Sequence, residues 1–295
     1  MRPVPSVGEE PQVAIALEAM ATRFELLLFG EDAIRLRAVG EEALGEIARA
    51  EERLSRYRPT SEIAWINAGA GGAPVRVSPP VFRLLERCAE LARLTEGAFD
   101  PTVGPLVRFG AELGPRSGEA ATARGLVGMH LVRLDAADHS VRLPEPGMEL
   151  DLGAIGKGAA IDTAIEVLRE HGVPAALLHG GTSSVHTIGP APGARTWRIG
   201  WRVPGESEPR VVDLDRERPA LAVSAPHGRA LPGAGGGHVL DPRTGEPARG
   251  VLSALVRGPS STLCDALSTA LLVRGADGWR LLAERFPDYL GEVAA

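Results

Sequence analysis

Lysine is almost absent from this chain of 295 residues. Lysine and arginine together number 32, and Lys157 is the only lysine among them. Aspartate and glutamate number 38, which leaves a formal net charge of -6. Because binding to a nucleic-acid backbone depends on clustered Lys and Arg, this balance argues against nucleic acid as the main partner.

Cysteine is also scarce, and long apolar runs are missing. Cys88 and Cys264 are far apart in apolar helical patterns, so neither a disulfide framework nor a cysteine metal site is indicated. No run of about eighteen apolar residues occurs, so no membrane span is predicted. The opening residues, MRPVPSVGEEPQ, lack the apolar region of a signal peptide. As written, the chain is expected in the cytoplasm, or at an exported or membrane-associated site if a leader has been removed.

The stretch 149–162, ELDLGAIGKGAAID, changes from strand-like alternation to a helical pattern. Gly153, Gly156 and Gly158 surround Lys157 at the predicted strand-to-helix turn. Glycines let a backbone approach a ligand closely, and the N-terminus of a helix offers unpaired N–H groups with partial positive charge. The turn therefore predicts a site for an anionic group.

Two common phosphate-binding motifs do not fit this turn. A Walker P-loop would end in Gly-Lys-Ser/Thr after a longer loop, and no G-x-G-x-x-G fingerprint is present. Asp151 adds a carboxylate that a purely phosphate-binding turn does not need. These features favour a phosphorylated cofactor together with a metal. The plainer alternative is a glycine-rich connection with a surface lysine.

Two further places in the sequence carry candidate carboxylates. Asp100 stands between a phenylalanine and a proline, where it presents an acid beside an aromatic ring or makes a simple Asx turn. On a predicted helix capped by Ser261 or Thr262, Asp265 shares one face with the hydroxyls at positions 268 and 269. Oxygens so arranged can bind a hard cation, although a solvated polar stripe is the commoner arrangement.

The predicted strands and helices alternate without a strict βαβ repeat, and several hairpins are expected. We therefore expect an α+β fold of mixed sheets and packed helices, with a ligand cleft between them. An amphipathic helix is predicted over 32–54. Residues 1–11 are predicted to be a disordered lead-in, and residues 12–295 are expected to form a single domain.

Six separated motifs follow one another along the chain: MATRFEL, YRPTSEIAWINA, EGAFDPTVGPL, DLGAIGKGAAID, HVLDPRTG and CDALSTALLVRG. Together they resemble the ApbE family of FAD:protein FMN transferases. The resemblance covers about residues 20–275 and implies an ApbE-like flavin transferase domain, with the flavin in the cleft. Enzymes of this family transfer FMN from FAD to a threonine or serine hydroxyl of a target flavoprotein, and AMP leaves.

The resemblance also implies the residues of the site. FAD would be contacted at seven positions: Met20, Ala98, Phe99, Asp100, Asp151, Lys157 and Val239. Magnesium would be held by the backbone oxygen of Ala154 and by Asp265, Ser268 and Thr269. Ser268 is the weakest of these, because many relatives carry alanine there. By its position before VLDP, His238 is the candidate general base, and Asp265 would serve catalysis through the metal.

Three functions stay open on the sequence. The first is a Mg²⁺-dependent transferase that attaches FMN through a phosphoester to a protein threonine or serine and releases AMP. The second is an FAD pyrophosphatase, in which water takes the place of the acceptor. The third is a non-catalytic FAD-binding protein, because segment 224–237 lacks the acidic and aromatic side chains that relatives commonly place there.

Overall fold

The computed structural model describes residues 12–113, 118–226 and 239–295. The largest sheet is antiparallel and is built from β1 (Val13–Ala19), β2 (Thr22–Phe29), β6 (Ala175–Gly180), β7 (Ser184–Ile188), β10 (Ala220–Ser224), β11 (Ser253–Gly258) and β12 (Leu290–Ala294). These strands lie side by side in that order. A second sheet contains β3 (Val75–Arg76), β4 (Arg133–Asp135) and β5 (Ser140–Arg142), and a hairpin pairs β8 (Trp197–Trp201) with β9 (Arg210–Leu214).

Helices connect many of these strands along the chain and pack against the sheets. They are α1 (Ala33–Leu54), α2 (Glu62–Ala68), α3 (Pro79–Leu94), α4 (Gly104–Leu113), α5 (Gly118–Gly125), α6 (Gly156–Glu170), α7 (Ser261–Arg274) and α8 (Gly278–Arg285). The expectation of an α+β fold is therefore confirmed. The predicted lead-in, residues 1–11, lies outside the described residues. Among the helices of the described ranges, none combines the length and the apolar character needed to cross a bilayer.

The first helix shows how the sequence pattern becomes packing. Its buried side chains include Leu36, Val39 and Ile47, which recur at helical spacing and face β1 and β2. The predicted range 32–54 is confirmed, with Asp32 as the N-cap whose side chain accepts a 3.0 Å hydrogen bond from the Arg35 N–H. The helix therefore joins the apolar layer on one face of the large sheet.

Alternate residues of the central strands face two different layers. In β6, Leu178 packs with α1 and α6, whereas Leu177 packs with the β8–β9 hairpin. In β11, Ala254 and Val256 lie on the side of α7, whereas Leu255 faces the hairpin. Since side chains alternate between the faces of a sheet, the seven strands are covered by helices on one face and by the hairpin on the other.

The segment just before α6 corrects one prediction. Residues 149–155 form no strand, although their polar and apolar side chains alternate. Their backbone groups find other partners: the Leu150 N–H donates to the Asn67 side chain over 2.8 Å, and the Asp151 N–H donates to the Pro101 carbonyl over 2.7 Å. The segment is therefore an irregular connection, tied to α2 and to the loop before α4, that brings the start of α6 to the cavity described next.

Candidate active site

A cavity of about 1550 Å³ opens between the helix-covered side of the fold and the β8–β9 hairpin. Small-molecule pockets usually measure roughly 300–1,000 Å³, so this cavity has room for a larger ligand of dinucleotide size. Its walls come from the β1–β2 turn, the loop before α4, the starts of α6 and α7, and the hairpin. Distant segments therefore converge on one space.

The predicted site residues converge on this cavity. Those that line it are Met20, Ala98, Phe99, Asp100, Asp151, Ala154, Lys157, Val239, Asp265 and Thr269. Ser268 is fully buried and is not among the lining residues. His238 and residues 227–237 of the divergent segment lie outside the described residues.

A lysine and an aspartate meet where α6 and α7 begin. Lys157 Nζ lies 3.1 and 3.2 Å from the two carboxylate oxygens of Asp265, and the Gly158 N–H donates to one of them over 3.1 Å. Asp265 is 3% exposed, so its charge is balanced almost entirely by these donors. A Cβ on Gly158 would lie 2.2 Å from the Ser261 carbonyl oxygen, so this close approach of the helices requires glycine.

The start of α6 faces the cavity without a side-chain cap. Its N-cap residue is Ile155, which makes no capping hydrogen bond. Gly156 and Lys157, the first residues of the helix, both line the cavity. A helix N-terminus that borders the cavity beside a lysine, with only its Gly158 N–H donating to the Asp265 side chain, suits an anionic group such as a phosphate.

Three hydroxyls gather beside Asp265. Ser224 of β10 lies 2.9 Å from the Ser268 hydroxyl and 3.0 Å from the Thr269 hydroxyl. The Ser268 hydroxyl also lies 2.9 Å from the Asp265 carbonyl oxygen, to which it donates. Ser268 is therefore occupied within the protein, whereas Ser224 and Thr269 reach the cavity. Ser224 was not predicted as a site residue, because only the tertiary fold brings β10 to α7.

The donor set fits a hard cation in part. In the described ranges no three His, Cys, Asp or Glu side chains cluster in a way that could hold a metal. A metal here would rest on the Asp265 carboxylate, the Thr269 hydroxyl and the Ala154 carbonyl oxygen, which belong to residues that line the cavity. One carboxylate with neutral oxygens, completed by waters and substrate phosphates, is the kind of set that Mg²⁺ accepts. The buried Ser268 hydroxyl would lie behind this set.

Asp151 belongs to an ion-pair group that the sequence did not indicate. Arg56 lies 2.8 Å from the Asp151 carboxylate and 3.0 Å from that of Glu149. The other Asp151 oxygen accepts the Gly153 N–H over 2.8 Å, which shapes the turn before α6. The Arg56 guanidinium stacks on the ring of Tyr57, whose exposed side chain lines the cavity. This group fixes one wall of the cavity.

Asp100 adopts the simpler of its two predicted arrangements. One carboxylate oxygen accepts the Thr102 N–H over 2.9 Å, and the other accepts the Met129 N–H over 2.9 Å. The carboxylate is thus an Asx-type cap for the 3-10 turn that starts at Pro101, and it still borders the cavity. Both oxygens of the Asp100 carboxylate are therefore engaged within the protein. The main effect of Asp100 on the site is to fix the loop that borders the cavity.

The turn between β1 and β2 is strained where it lines the cavity. Met20 and Ala21 have φ angles of 51° and 55°, in the left-handed region that favours glycine. Two such residues in succession match a type I′ hairpin turn. Non-glycine residues in that region cost about 1–3 kcal/mol each, and they concentrate at ligand sites. The strained turn supports a binding role for this wall.

The opposite wall is the β8–β9 hairpin. Trp201 is buried and donates its indole N–H to the Ser253 hydroxyl over 2.9 Å. Its neighbour Arg202 is exposed, lines the cavity and makes no hydrogen bond or ion pair with the described part of the chain. The hairpin thus adds a positively charged side chain to the cavity, and no sequence motif predicted it.

Comparison with known proteins identifies the family. The model of the ApbE family matches residues 20–291. This chain belongs to the ApbE family. The match includes the β1–β2 turn, the start of α6 and the whole of α7, which carry the residues brought together in the cavity.

Two named relatives and one solved ApbE structure show the extent of the similarity. The FAD:protein FMN transferase of Rhodobacter capsulatus is 36% identical over 233 residues, which are 75% of this chain and 44% of that protein. The one of Klebsiella pneumoniae (strain 342) is 34% identical over 235 residues, 77% of this chain and 72% of that protein. The crystal structure of the ApbE protein from Thermotoga maritima superposes with a TM-score of 0.85 at 28% identity, covering 95% and 93% of the two chains.

Proposed function

We propose that this member of the ApbE family is a Mg²⁺-dependent FAD:protein FMN transferase. It would attach FMN through a phosphoester to a threonine or serine of a target flavoprotein and release AMP. The observation that carries the proposal is the pairing of Lys157 with Asp265 at the start of α6, inside a cavity of about 1550 Å³. The activity printed for the Rhodobacter capsulatus and Klebsiella pneumoniae relatives supports it.

The pyrophosphate of FAD would lie against the N-terminus of α6. The first residues of that helix line the cavity, and its N-cap residue, Ile155, supplies no side-chain cap, although the Gly158 N–H already donates to Asp265. The Lys157 ammonium would contact the phosphate oxygens as well as Asp265, and so it would stabilise the negative charge of the reacting group. The strained turn at Met20 and Ala21 and the loop at Ala98 would bind other parts of the dinucleotide.

Magnesium would be held by the Ala154 carbonyl, the Asp265 carboxylate and the Thr269 hydroxyl, with Ser268 supporting Thr269 through Ser224. When bound, Mg²⁺ supplies a Lewis acid that polarises the phosphoryl oxygens and neutralises the departing AMP. The Asp265 carboxylate would keep a fixed position, because it is buried and because Asp162 holds the start of its helix, α7.

His238 would take the proton from the acceptor hydroxyl as that oxygen attacks the FMN phosphorus. The proposal is supported by the next residue, Val239, which lines the cavity. Replacement of His238 by alanine is expected to slow transfer much more than it weakens FAD binding. Equal loss of both, measured by FMN transfer and by quenching of FAD fluorescence, would make His238 a binding residue instead.

The deciding experiment incubates the purified chain with FAD and Mg²⁺, with and without a threonine-bearing flavoprotein domain. AMP release is followed together with the mass of the acceptor. A Mg²⁺-dependent mass gain equal to FMN supports the transferase. Release of AMP without a mass gain would show a pyrophosphatase, and FAD binding without AMP would show a flavin-binding protein without catalysis.

A further inference from the structure

A carboxylate outside the predicted site, Asp162 of α6, holds the first turn of α7. We infer that Asp162 is a positioning residue: it fixes the start of α7 against α6 and thereby keeps Asp265 beside Lys157. The structural part of this inference stands on the contacts alone. Its consequence for catalysis rests on the proposed function.

Asp162 accepts hydrogen bonds from one end of α7 at several points. One carboxylate oxygen accepts the Ser261 N–H over 2.8 Å. The other accepts the Thr262 N–H over 2.9 Å, the Thr262 hydroxyl over 2.7 Å and the Ser260 hydroxyl over 2.6 Å. These N–H groups belong to the turn of α7 whose donors have no partner within the helix. Asp162 therefore supplies a cap from a different helix.

A buried histidine completes this arrangement. Arg169 Nη2 lies 3.2 Å from His186 Nε2, and a guanidinium can only donate, so Nε2 must accept. The proton of the neutral ring is then on Nδ1, which lies 3.3 Å from Asp162 and 2.7 Å from the Ser261 hydroxyl. The Asp162 carboxylate is thus surrounded by donors.

A carboxylate is the group this place requires. Every hydrogen-bonding neighbour of its two oxygens can donate, and the backbone neighbours are N–H groups, which cannot accept. An asparagine would have almost the same shape, but its NH₂ group would face donors on whichever side it lay. It would also remove the negative charge that interacts favourably with the positive end of α7.

The contacts between Asp162 and the start of α7 lie close to the Lys157–Asp265 pair along both helices. Asp265 lies one turn after Ser261 in α7, and Lys157 lies little more than one turn before Asp162 in α6. Between the two lies the close contact of Gly158 with Ser261. Because the helices touch there without a side chain between them, a shift of the start of α7 would move Asp265 relative to Lys157.

The single lysine of the chain allows a direct test. In protein labelled with ¹³C-lysine, the Cε cross-peak reports only on Lys157. Asp265→Asn defines the peak position when the ion pair is broken. We expect Asp162→Asn to move the peak towards that position, although it changes neither partner of the pair. An unmoved peak in folded Asp162→Asn protein would overturn the inference.

The matched control is Glu166→Gln, which removes the same charge four residues further along α6. Glu166 is exposed and makes no hydrogen bond or ion pair with the described residues, so its variant is expected to leave the peak and the activity unchanged. If Asp162→Asn does not fold, Thr262→Val carries the test, since it removes only one donor to Asp162. A smaller shift in the same direction supports the inference, and no shift overturns it.

A kinetic measurement separates positioning from stability. Partners of metal-binding and catalytic groups typically change activity by about 10–100-fold when replaced. We expect Asp162→Asn to lower kcat for FMN transfer by that order with little change in the KM for FAD. An unchanged kcat would contradict the catalytic part. The lysine spectrum does not require turnover, so a failure of the proposed function leaves the structural part testable.

Discussion

Two helix N-termini lie side by side in this molecule, and they are completed in different ways. The start of α7 is closed from within, by Ser260 and by the Asp162 carboxylate. The start of α6 borders the cavity: its N-cap residue offers no side-chain cap, and a single carboxylate oxygen, from Asp265, accepts its Gly158 N–H. Both ends carry partial positive charge. The start of α7 is therefore completed within the protein, whereas the start of α6, where Gly156 and Lys157 line the cavity, is the end that can meet an anion from outside.

The carboxylates of Asp162 and Asp265, which lie near these two helix ends, differ in how fully the protein itself engages them. Asp162 is held by hydrogen bonds and by His186, which together keep the pKa of its carboxyl well below the usual range despite the effect of burial. Burial lowers the pKa of His186, so that ring stays neutral. Asp265, by contrast, faces one lysine and one backbone N–H. Its environment leaves room for a ligand, whereas that of Asp162 is complete.

The largest effect is expected on the cavity side. Asp265→Ala removes the only carboxylate in the proposed metal set, and loss of one preorganised group that stabilises the transition state commonly costs about 10²–10³ in kcat. We expect Mg²⁺-dependent FMN transfer to fall by at least that much. Asp277→Ala, at an exposed position beyond α7, is the control. Mg²⁺-stimulated transfer that persists at the normal rate in Asp265→Ala would refute the assignment.

Lys157→Met should show how much the stability of the fold depends on the ion pair between Lys157 and Asp265. Removing one member of a buried ion pair costs roughly 3–5 kcal/mol, and the partial exposure of Lys157 places the expected loss near the lower figure. Urea unfolding near neutral pH measures this loss. Arg216→Met, at an exposed position without an ion pair in the described residues, serves as the control. Equal stability of the two variants would show that the pair contributes little.

Asp162 predicts a pH dependence of stability. Its folded pKa is lowered, so the carboxylate stabilises the fold above the unfolded pKa of about 3.9 and loses that contribution as pH falls below it. The stability gap between wild type and Asp162→Asn should therefore be widest near neutral pH and narrow in acid. Urea unfolding across this range tests the sign. A gap that widens in acid would contradict it.

The smallest effect is expected at the Ser260 cap. Loss of an N-cap side chain costs about 0.5–2 kcal/mol. Because Asp162 still accepts the Ser261 and Thr262 N–H groups, Ser260→Ala should fall at the lower end of that range. Thermal unfolding of the single variant and of the double variant with Asp162→Asn measures the coupling. Because the Ser260 hydroxyl donates to Asp162, both single variants remove this contact, and the double variant should cost less than the sum of the two. A cost equal to the sum would argue against this coupling.

The sequence predicted the parts of the site whose chemistry is local. Lys157 among its glycines, and Asp265 with two hydroxyls on one helix face, lie in short stretches and are brought to the cavity as expected, although Ser268 is buried behind it. The predicted cap of α7 was wrong. Ser261 or Thr262 was expected, but Ser260 occupies that position. The carboxylate that accepts the N–H groups of both comes from α6, about a hundred residues earlier, and no local pattern shows it.

Other parts of the site depend on tertiary contacts in the same way. Arg56 gains its role from Asp151 and Glu149, and Ser224 gains its role from α7. Arg202 becomes a cavity residue because the hairpin packs across the sheet. The α+β class followed from the mixture of patterns, but the order of the seven strands did not, since pairing across the sheet depends on distant segments.

The most direct test of the difference between the two helix ends is a crystal structure with FAD and Mg²⁺ bound. We expect pyrophosphate oxygens within hydrogen-bonding distance of Lys157 and of N–H groups in the first turn of α6, with the Asp162 contacts to α7 unchanged. A pyrophosphate bound elsewhere in the cavity, or a start of α7 released from Asp162, would contradict it.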